Sequence, residues 1–85
     1  MKELYENIDF ATTNTFRIKV VGKLDEKLSN NLGGLSINSK IENNNTVSYL
    51  DGEIIDQAEL IGILNTLYNM RFKIISVNIK EKTTV

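Results

Sequence analysis

The chain of 85 residues contains no cysteine, no histidine, no proline and no tryptophan. The absence of cysteine excludes disulfides, thiolate nucleophiles and cysteine metal sites. The absence of histidine removes the commonest general base and the commonest metal ligand. Catalysis or metal binding by this chain would therefore depend on its carboxylates.

The charges are nearly balanced, with 10 Lys and Arg against 11 Asp and Glu, and the isoelectric point is about 5.3. This balance argues against a nucleic-acid binder that works by bulk electrostatics. No stretch approaches the ~18 apolar residues of a membrane span, and residues 1–7 carry charges where a signal peptide needs an apolar run. We therefore expect a cytoplasmic protein with no cofactor and with no nucleic-acid or membrane partner.

The clearest local signal is the start of a helix over residues 57–70. Asp56 is placed to accept a hydrogen bond from the backbone of Glu59, and the Glu59 side chain to return to Asp56, as in a capping box. Ile55 and Leu60 are spaced for a hydrophobic staple. Five apolar residues at helical spacing predict a buried stripe: Leu60, Ile63, Leu64, Leu67 and Tyr68.

Gly62 lies within this predicted helix, where it costs about 1 kcal/mol relative to alanine. Its presence suggests close approach to a strand, although a tolerated small residue is equally compatible with the sequence. A shorter helix is expected earlier in the chain, with Asp25 as its N-cap and with Leu28 and Leu32 on one face. Gly33 is a plausible left-handed terminator for it.

Four segments read as strands. Residues 16–20 and 35–41 alternate apolar and polar residues, residues 46–50 follow an Asn-rich turn at 43–45, and residues 73–80 are rich in β-formers. The order β-α-β-β-α-β predicts an α+β, ferredoxin-like fold, in which a four-stranded antiparallel sheet of order 4-1-3-2 carries two helices on one face.

The domain boundaries follow from these elements. We expect a flexible N-terminal arm over residues 1–15, a single α+β domain over residues 16–80 and a polar tail over residues 81–85. A chain of this length buries a modest core, so its stability is expected to be marginal unless it oligomerises.

The alternation assigns side chains to the two faces of the sheet. The helix side is expected to carry Phe16, Ile18, Val20, Leu35, Ile37, Ile41, Ile75, Val77 and Ile79. The opposite, open face provides the candidate interaction surface, which comprises Arg17, Lys19, Val21, Asn38, Lys40, Ile74, Ser76 and Asn78. This face is either solvated, as in many antiparallel sheets, or a binding or dimer surface. Base stacking on it is disfavoured, because the middle of the sheet offers at most Tyr49.

A carboxylate pair is the remaining candidate for catalysis. Asp51 and Glu53 lie two residues apart and can share a face, but such a pair needs a pocket and a shifted pKa to act. Asp25, Asp56 and Glu59 have structural explanations as helix caps. We therefore expect no enzyme activity and assign no catalytic, cofactor or metal residues.

Four segments together resemble a widespread family of short, uncharacterised bacterial proteins: residues 22–28, 32–37, 56–64 and 74–77. The family pattern has a Gly-x-Leu-Asp start, an Asp-Gln-Ala-x-Leu-x-Gly helix and a closing strand. The resemblance covers roughly residues 16 to 79, and the helix motif that ends at Gly62 is its most specific part. It implies a fold and carries no known activity.

The chain departs from that family at positions that often hold histidine or aromatic residues. Lys23 and Ile61 occupy the positions of the frequent histidines, while Leu28, Asn31 and Leu32 occupy those of Trp, Trp and Phe. Any chemistry of those histidines is absent from this chain. If they serve packing or capping instead, as the replacement by Ile61 favours, the departures carry no functional consequence.

Three functions are compatible with the sequence. The leading hypothesis is a small non-catalytic domain that acts through self-association, as a homodimer, or through another protein partner. The alternative is a regulatory module that binds a small molecule in a pocket between subunits or near Asp51–Glu53. An enzyme that uses those two carboxylates is the third.

Overall fold

The computed structural model describes the backbone of residues 14–81 and the side chains of residues 15–79. Most of the predicted arm over residues 1–15 and of the tail over residues 81–85 lies outside the described residues. The first strand already includes Asn14 and Thr15, and the last strand extends to Glu81.

The fold is α+β, with a four-stranded antiparallel sheet and two helices, as the sequence predicts. The elements are β1 (Asn14–Val21), a 3₁₀ helix (Glu26–Leu32), β2 (Ser36–Glu42), β3 (Asn45–Ile54), α1 (Gln57–Asn69) and β4 (Lys73–Glu81). The strand order is β2-β3-β1-β4, which reads 4-1-3-2 from the β4 edge. β1 and β3 are therefore central, and β2 and β4 are the edge strands.

The first connection departs from the expected β-α-β-β-α-β order because its helix is 3₁₀ and not α. It spans seven residues between the N-cap Asp25 and the left-handed Gly33, whose φ is 69°. The Asp25 side chain accepts from the backbone N–H of Lys27 at 2.9 Å. Short 3₁₀ segments are common as connectors, and Asn30 and Asn31 have poor α-helical propensity.

Helix α1 begins as predicted and differs in two details. The Asp56 side chain accepts from the backbone of Glu59 at 2.8 Å, but the Glu59 carboxylate accepts from the backbone of Ile55 at 3.5 Å and not from that of Asp56. Ile55 is largely exposed, so the expected staple with Leu60 is wrong. Tyr68 is 67% exposed and does not belong to the buried stripe.

The β2–β3 hairpin turns at Asn43 and Asn44, with φ of 50° and 66°. Two consecutive residues with positive φ match the right-handed twist of a hairpin, which explains the asparagines. Strand β3 then continues through Asp51 and Gly52, beyond the predicted strand over residues 46–50. A Cβ at Gly52 would lie 2.6 Å from Leu35 Cδ2, so a side chain there would require the buried Leu35 side chain to shift.

The core fills the space between one face of the sheet and the two helices. Its buried members are Phe16, Ile18, Val20, Leu24, Leu32, Leu35, Ile37, Leu50, Ile54, Leu60, Ile63, Leu64 and Leu67. Most of the predicted helix-side residues of β1 and β2 are among them. Ile41 is the exception at 78% exposure, because it lies near the hairpin turn on edge strand β2.

A β-bulge in β4 changes which isoleucine faces the core. Ser76 lies opposite Lys19, but Val20 lies opposite Ile74, so Ile75 has no direct partner in β1. Because the extra residue shifts the alternation, Ile74 packs against the core. The assignment of Ile74 to the open face is therefore wrong.

One buried polar side chain joins the sheet to the segment after β1. The hydroxyl of Ser48 donates to the backbone carbonyl of Gly22 at 2.7 Å and accepts from the backbone N–H of Leu24 at 2.9 Å. Ser39 lies 3.0 Å away and completes the set of hydrogen bonds. Full pairing makes the burial of Ser48 compatible with a stable core.

Gly62 is exposed, and a Cβ added there meets nothing within 4 Å. The suggestion of close approach to a strand is therefore wrong within this chain. We expect Gly62→Ala to raise the free energy of unfolding by about 0.5–1 kcal/mol, because alanine restricts the unfolded chain and favours the helix. Urea denaturation measures the change.

Gly33→Ala is the matched control. Its φ is 69°, and a Cβ there would lie 2.8 Å from Ile63 Cδ1. This variant should lose about 1 kcal/mol or more. Destabilisation by Gly62→Ala comparable to that of Gly33→Ala would contradict the packing described for α1.

Candidate functional site

The open face of the sheet is polar and centred on Tyr49. The pairing register places Lys19 of β1 on one side of Tyr49 and Asn38 of β2 on the other. Arg17 lies opposite Asp51 on the same face. Tyr49 is half-buried beneath these longer side chains.

Two ion pairs cross the strands of this face. Arg17 Nε donates to Asp51 Oδ1 at 2.7 Å, and Arg17 Nη2 donates to Asp51 Oδ2 at 3.1 Å. Lys19 Nζ donates to Glu42 Oε1 at 2.8 Å. The hydroxyl of Tyr49 donates to the other oxygen of Glu42. These contacts tie β1, β2 and β3 together on the solvent side of the sheet.

Three cationic groups surround the Tyr49 ring. The guanidinium carbon of Arg17 lies 4.8 Å from the ring centroid, and the amines of Lys19 and Lys40 lie 5.6 and 5.4 Å from it. All three distances lie within the range of a cation–π interaction. The protein's own cations therefore already contact the aromatic ring.

The pairing shifts the proton affinities of these groups. Hydrogen bonds from Lys19 and Tyr49 hold the pKa of Glu42 below its ordinary value of 4.5. The hydrogen bond to Glu42 raises the pKa of Lys19. The hydrogen bond to Asp51 and the charge of that carboxylate raise the pKa of Arg17. Each shift favours the charged form, so the face is a set of compensated charges.

Seven of the eight residues predicted as an interaction surface share the open face by register: Arg17, Lys19, Val21, Asn38, Lys40, Ser76 and Asn78. The eighth, Ile74, packs against the core. Sequence reasoning left out Tyr49, Asp51 and Glu42, which hold the face together. The alternation of β3 beyond Leu50 was the available signal, because it places residues 47, 49, 51 and 53 on one side.

A second surface is apolar and lies at the β4 edge. Val77 and Ile79 lie opposite the buried Ile18 and Phe16 on the helix side of β4. Ile75, the extra residue of the bulge, is 44% exposed, and Ile79 is 40% exposed. On α1, Ile61 and Tyr68 lie seven residues apart and share a flank. Glu59 and Ile63 occupy the opposite flank, beside Gly33.

The small-molecule hypothesis places a pocket near Asp51–Glu53. Arg17 engages Asp51, and a surface hollow of about 690 Å³ lies elsewhere, beside the β2 edge. It is lined by Lys23, Leu24, Asp25, Glu26, Asn38 and Ser39.

Two further properties concern the described part of the chain. Across residues 14–81, no three potential ligands among His, Cys, Asp and Glu cluster as a metal site would require. Within the same residues, α1 is too short and no other helix is long and apolar enough to cross a membrane.

The Glu42 contacts predict a pH dependence. Because the folded pKa of Glu42 is lowered, its contribution to stability is present above pH 4.5 and is lost as the pH falls through the lowered value. Glu42→Gln should therefore be less stable than wild type at neutral pH, and the difference should shrink on acidification. Urea midpoints measured across the acidic range provide the test.

Glu26→Gln is the control, since Glu26 is an exposed acid in the first turn of the 3₁₀ helix. It shows how much of the pH dependence comes from removing any single exposed carboxylate. A stability gap for Glu42→Gln that is independent of pH would show that the carboxylate charge makes no contribution.

Comparison with known proteins gives one result. Neither a curated protein sequence nor a solved structure matches the chain. Residues 15–78 match the family described as a domain of unknown function, DUF8691, and this range includes nearly all of the sheet and both helices. The chain therefore belongs to the DUF8691 family.

Proposed function

We propose that this protein is a small, non-catalytic cytoplasmic domain that acts through self-association, as a homodimer joined along β4. One observation carries the proposal: edge strand β4 exposes two isoleucines, Ile75 and Ile79, of which Ile79 lies opposite Phe16 on the side of the sheet that bears the helices. The exposed ring of Tyr68 lies on the flank of α1 that faces away from Gly33.

The composition of β4 supports this choice of surface. Residues 74–79 contain no charged side chain. Natural edge strands are commonly protected by charges, above all by lysine, because a free edge can pair with another chain. The uncharged centre of β4 is accounted for if a second copy covers it.

The other edge of the sheet is better protected. Strand β2 carries Lys40 and Glu42, and its large exposed apolar residue is Ile41 near the turn. A partner strand on β2 would bring a second Lys40 and a second Glu42 to the interface. The β4 edge is therefore the better candidate for self-association.

Helix α1 supports the same surface. The only charged residue within Gln57–Asn69 is Glu59, which lies on the flank toward Gly33. The flank that carries Ile61 and Tyr68 is uncharged. Uncharged surfaces with exposed aromatic and aliphatic side chains are of the kind that protein interfaces use.

The non-catalytic part of the proposal rests on the open face. Its carboxylates Asp51 and Glu42 accept hydrogen bonds from Arg17 and Lys19, and the low pKa of Glu42 keeps it ionised. These are properties of a structural ion pair and not of a general acid.

We also infer that the fold is ferredoxin-like, with the first helix shortened to 3₁₀, and that the motifs shared with short bacterial proteins reflect common ancestry.

Ile75→Asp tests the interface. A carboxylate at this position would be buried without a partner in the dimer, so the dissociation constant should rise by about tenfold or more, or about 1.4 kcal/mol. Sedimentation velocity across micromolar concentrations should show wild type above the 9.6 kDa monomer mass and the variant shifted toward it.

Ile41→Asp is the matched control, because it introduces the same charge at an exposed isoleucine of the other edge strand. It should leave self-association unchanged. A wild-type chain that is monomeric throughout this concentration range would rule out the proposed homodimer.

The small-molecule alternative has the hollow beside the β2 edge as its site. Its lining is mostly polar, whereas ligand pockets are mostly apolar with a few polar groups. A thermal-shift screen with a broad metabolite panel separates the two functions, since a ligand that binds the folded state must stabilise it. We expect no stabilisation; a saturable shift abolished by Asn38→Ala would favour the regulatory module.

A further inference from the structure

We infer that the two copies pair through antiparallel β4 strands, with the two-fold axis passing between the two opposed Val77 residues. The inference rests on the proposed homodimer and specifies its geometry. It predicts which residue of one copy lies opposite which residue of the other.

The symmetry of a homodimer limits the possible registers. In a two-fold interface, if residue i contacts residue j of the second copy, then j contacts i. In two antiparallel strands related in this way, one residue lies opposite the same residue of the second copy and is the centre of the register. A residue before the centre lies opposite the residue that follows the centre by the same number of positions in the second copy. Each register is therefore defined by its centre.

A centre at Val77 places Ile75 of each copy opposite Ile79 of the other, so that two such isoleucine pairs form. Val77 lies opposite Val77 of the second copy, and Ser76 lies opposite Asn78 of the second copy. Directly opposed side chains stand close enough for such apolar pairs to stabilise the sheet. Both exposed isoleucines of each copy are covered by this arrangement.

The neighbouring registers fail for physical reasons. A centre at Ile75 or at Ile79 forms one isoleucine pair and carries the other isoleucine past the end of the opposing strand. A centre between two residues places helix-side residues opposite open-face residues. A centre at Ser76 or at Asn78 keeps the faces matched but places Ile79 opposite Lys73 or Ile75 opposite Glu81. Val77 is also the midpoint of β4, Lys73–Glu81, so that this register alone pairs the strand along its whole length.

The same geometry brings the α1 helices together. If the two sheets form one continuous sheet, the two-fold axis is perpendicular to the plane of the sheet. The helices of both copies then lie on the same side of it. The α1 flank with Ile61 and Tyr68 then faces its counterpart across the axis. One two-fold axis thus covers the apolar residues of both elements.

The absence of cysteine makes the register directly testable. Opposed Cα atoms in an antiparallel pair are about 4.5–5.5 Å apart, which is within the range of about 4.4–6.8 Å that a disulfide spans. Val77→Cys should therefore form a covalent dimer under mild oxidation, and the yield on a non-reducing gel is the readout.

A second pair keeps the test independent of Val77, which is half-buried. Ser76→Cys and Asn78→Cys, mixed together, should form more covalent dimer than either variant forms alone, because these two positions oppose each other in the proposed register. Ile41→Cys on the β2 edge is the control and should cross-link at background level.

The outcomes separate the register from the homodimer itself. Cross-linking through Val77→Cys, together with a preference for the mixed pair, supports the inference. A wild-type dimer by sedimentation that gives neither cross-link, or that cross-links through Ile41→Cys, overturns the register and leaves self-association standing. A wild-type monomer overturns both.

Discussion

The complete burial of one side of β1 is the constraint on which the rest of the structure depends. Phe16, Ile18 and Val20 have no accessible surface, and their strand lies between β3 and β4. Because side chains alternate along a strand, this burial also determines which residues of β1 reach solvent, namely Arg17 and Lys19. The core and the charged open face are therefore consequences of the same register.

The two sides of the sheet are stabilised by different forces. The helix side excludes water with aliphatic side chains, while the open side holds Tyr49 within compensated charges from three strands. Neither side leaves a buried side-chain polar atom without a partner in the described part of the chain. The β4 edge exposes Ile75 and Ile79 on either side of Val77, which packs against the core. This is why self-association is the function that we propose for this member of the DUF8691 family.

The sequence was informative wherever the signal was local. The caps at Asp25 and Asp56, the asparagine turn at 43–44 and the alternation of β1 each depend on interactions within a few residues. The apolar stripe of α1 was correct for four of its five members, and Tyr68 failed because the helix packs against the sheet on only one side. The arrangement of strands followed from the order of the elements and from the handedness of their connections.

What the sequence by itself determined is the set of elements and, for β1 and β2, the face that each side chain occupies. Only the tertiary structure decided that Ile74 packs against the core and that Ile75 is exposed. The bulge arises from the pairing between β1 and β4, and the sequence alternation does not record it. The tertiary structure also decided that Glu42, Tyr49 and Lys19 meet, since these residues come from three strands. For that reason the interface that we propose is the β4 edge and not the open face predicted from the sequence. Whether a charge is compensated and whether a strand is an edge both depend on which strands are neighbours, and a linear sequence pattern does not record this.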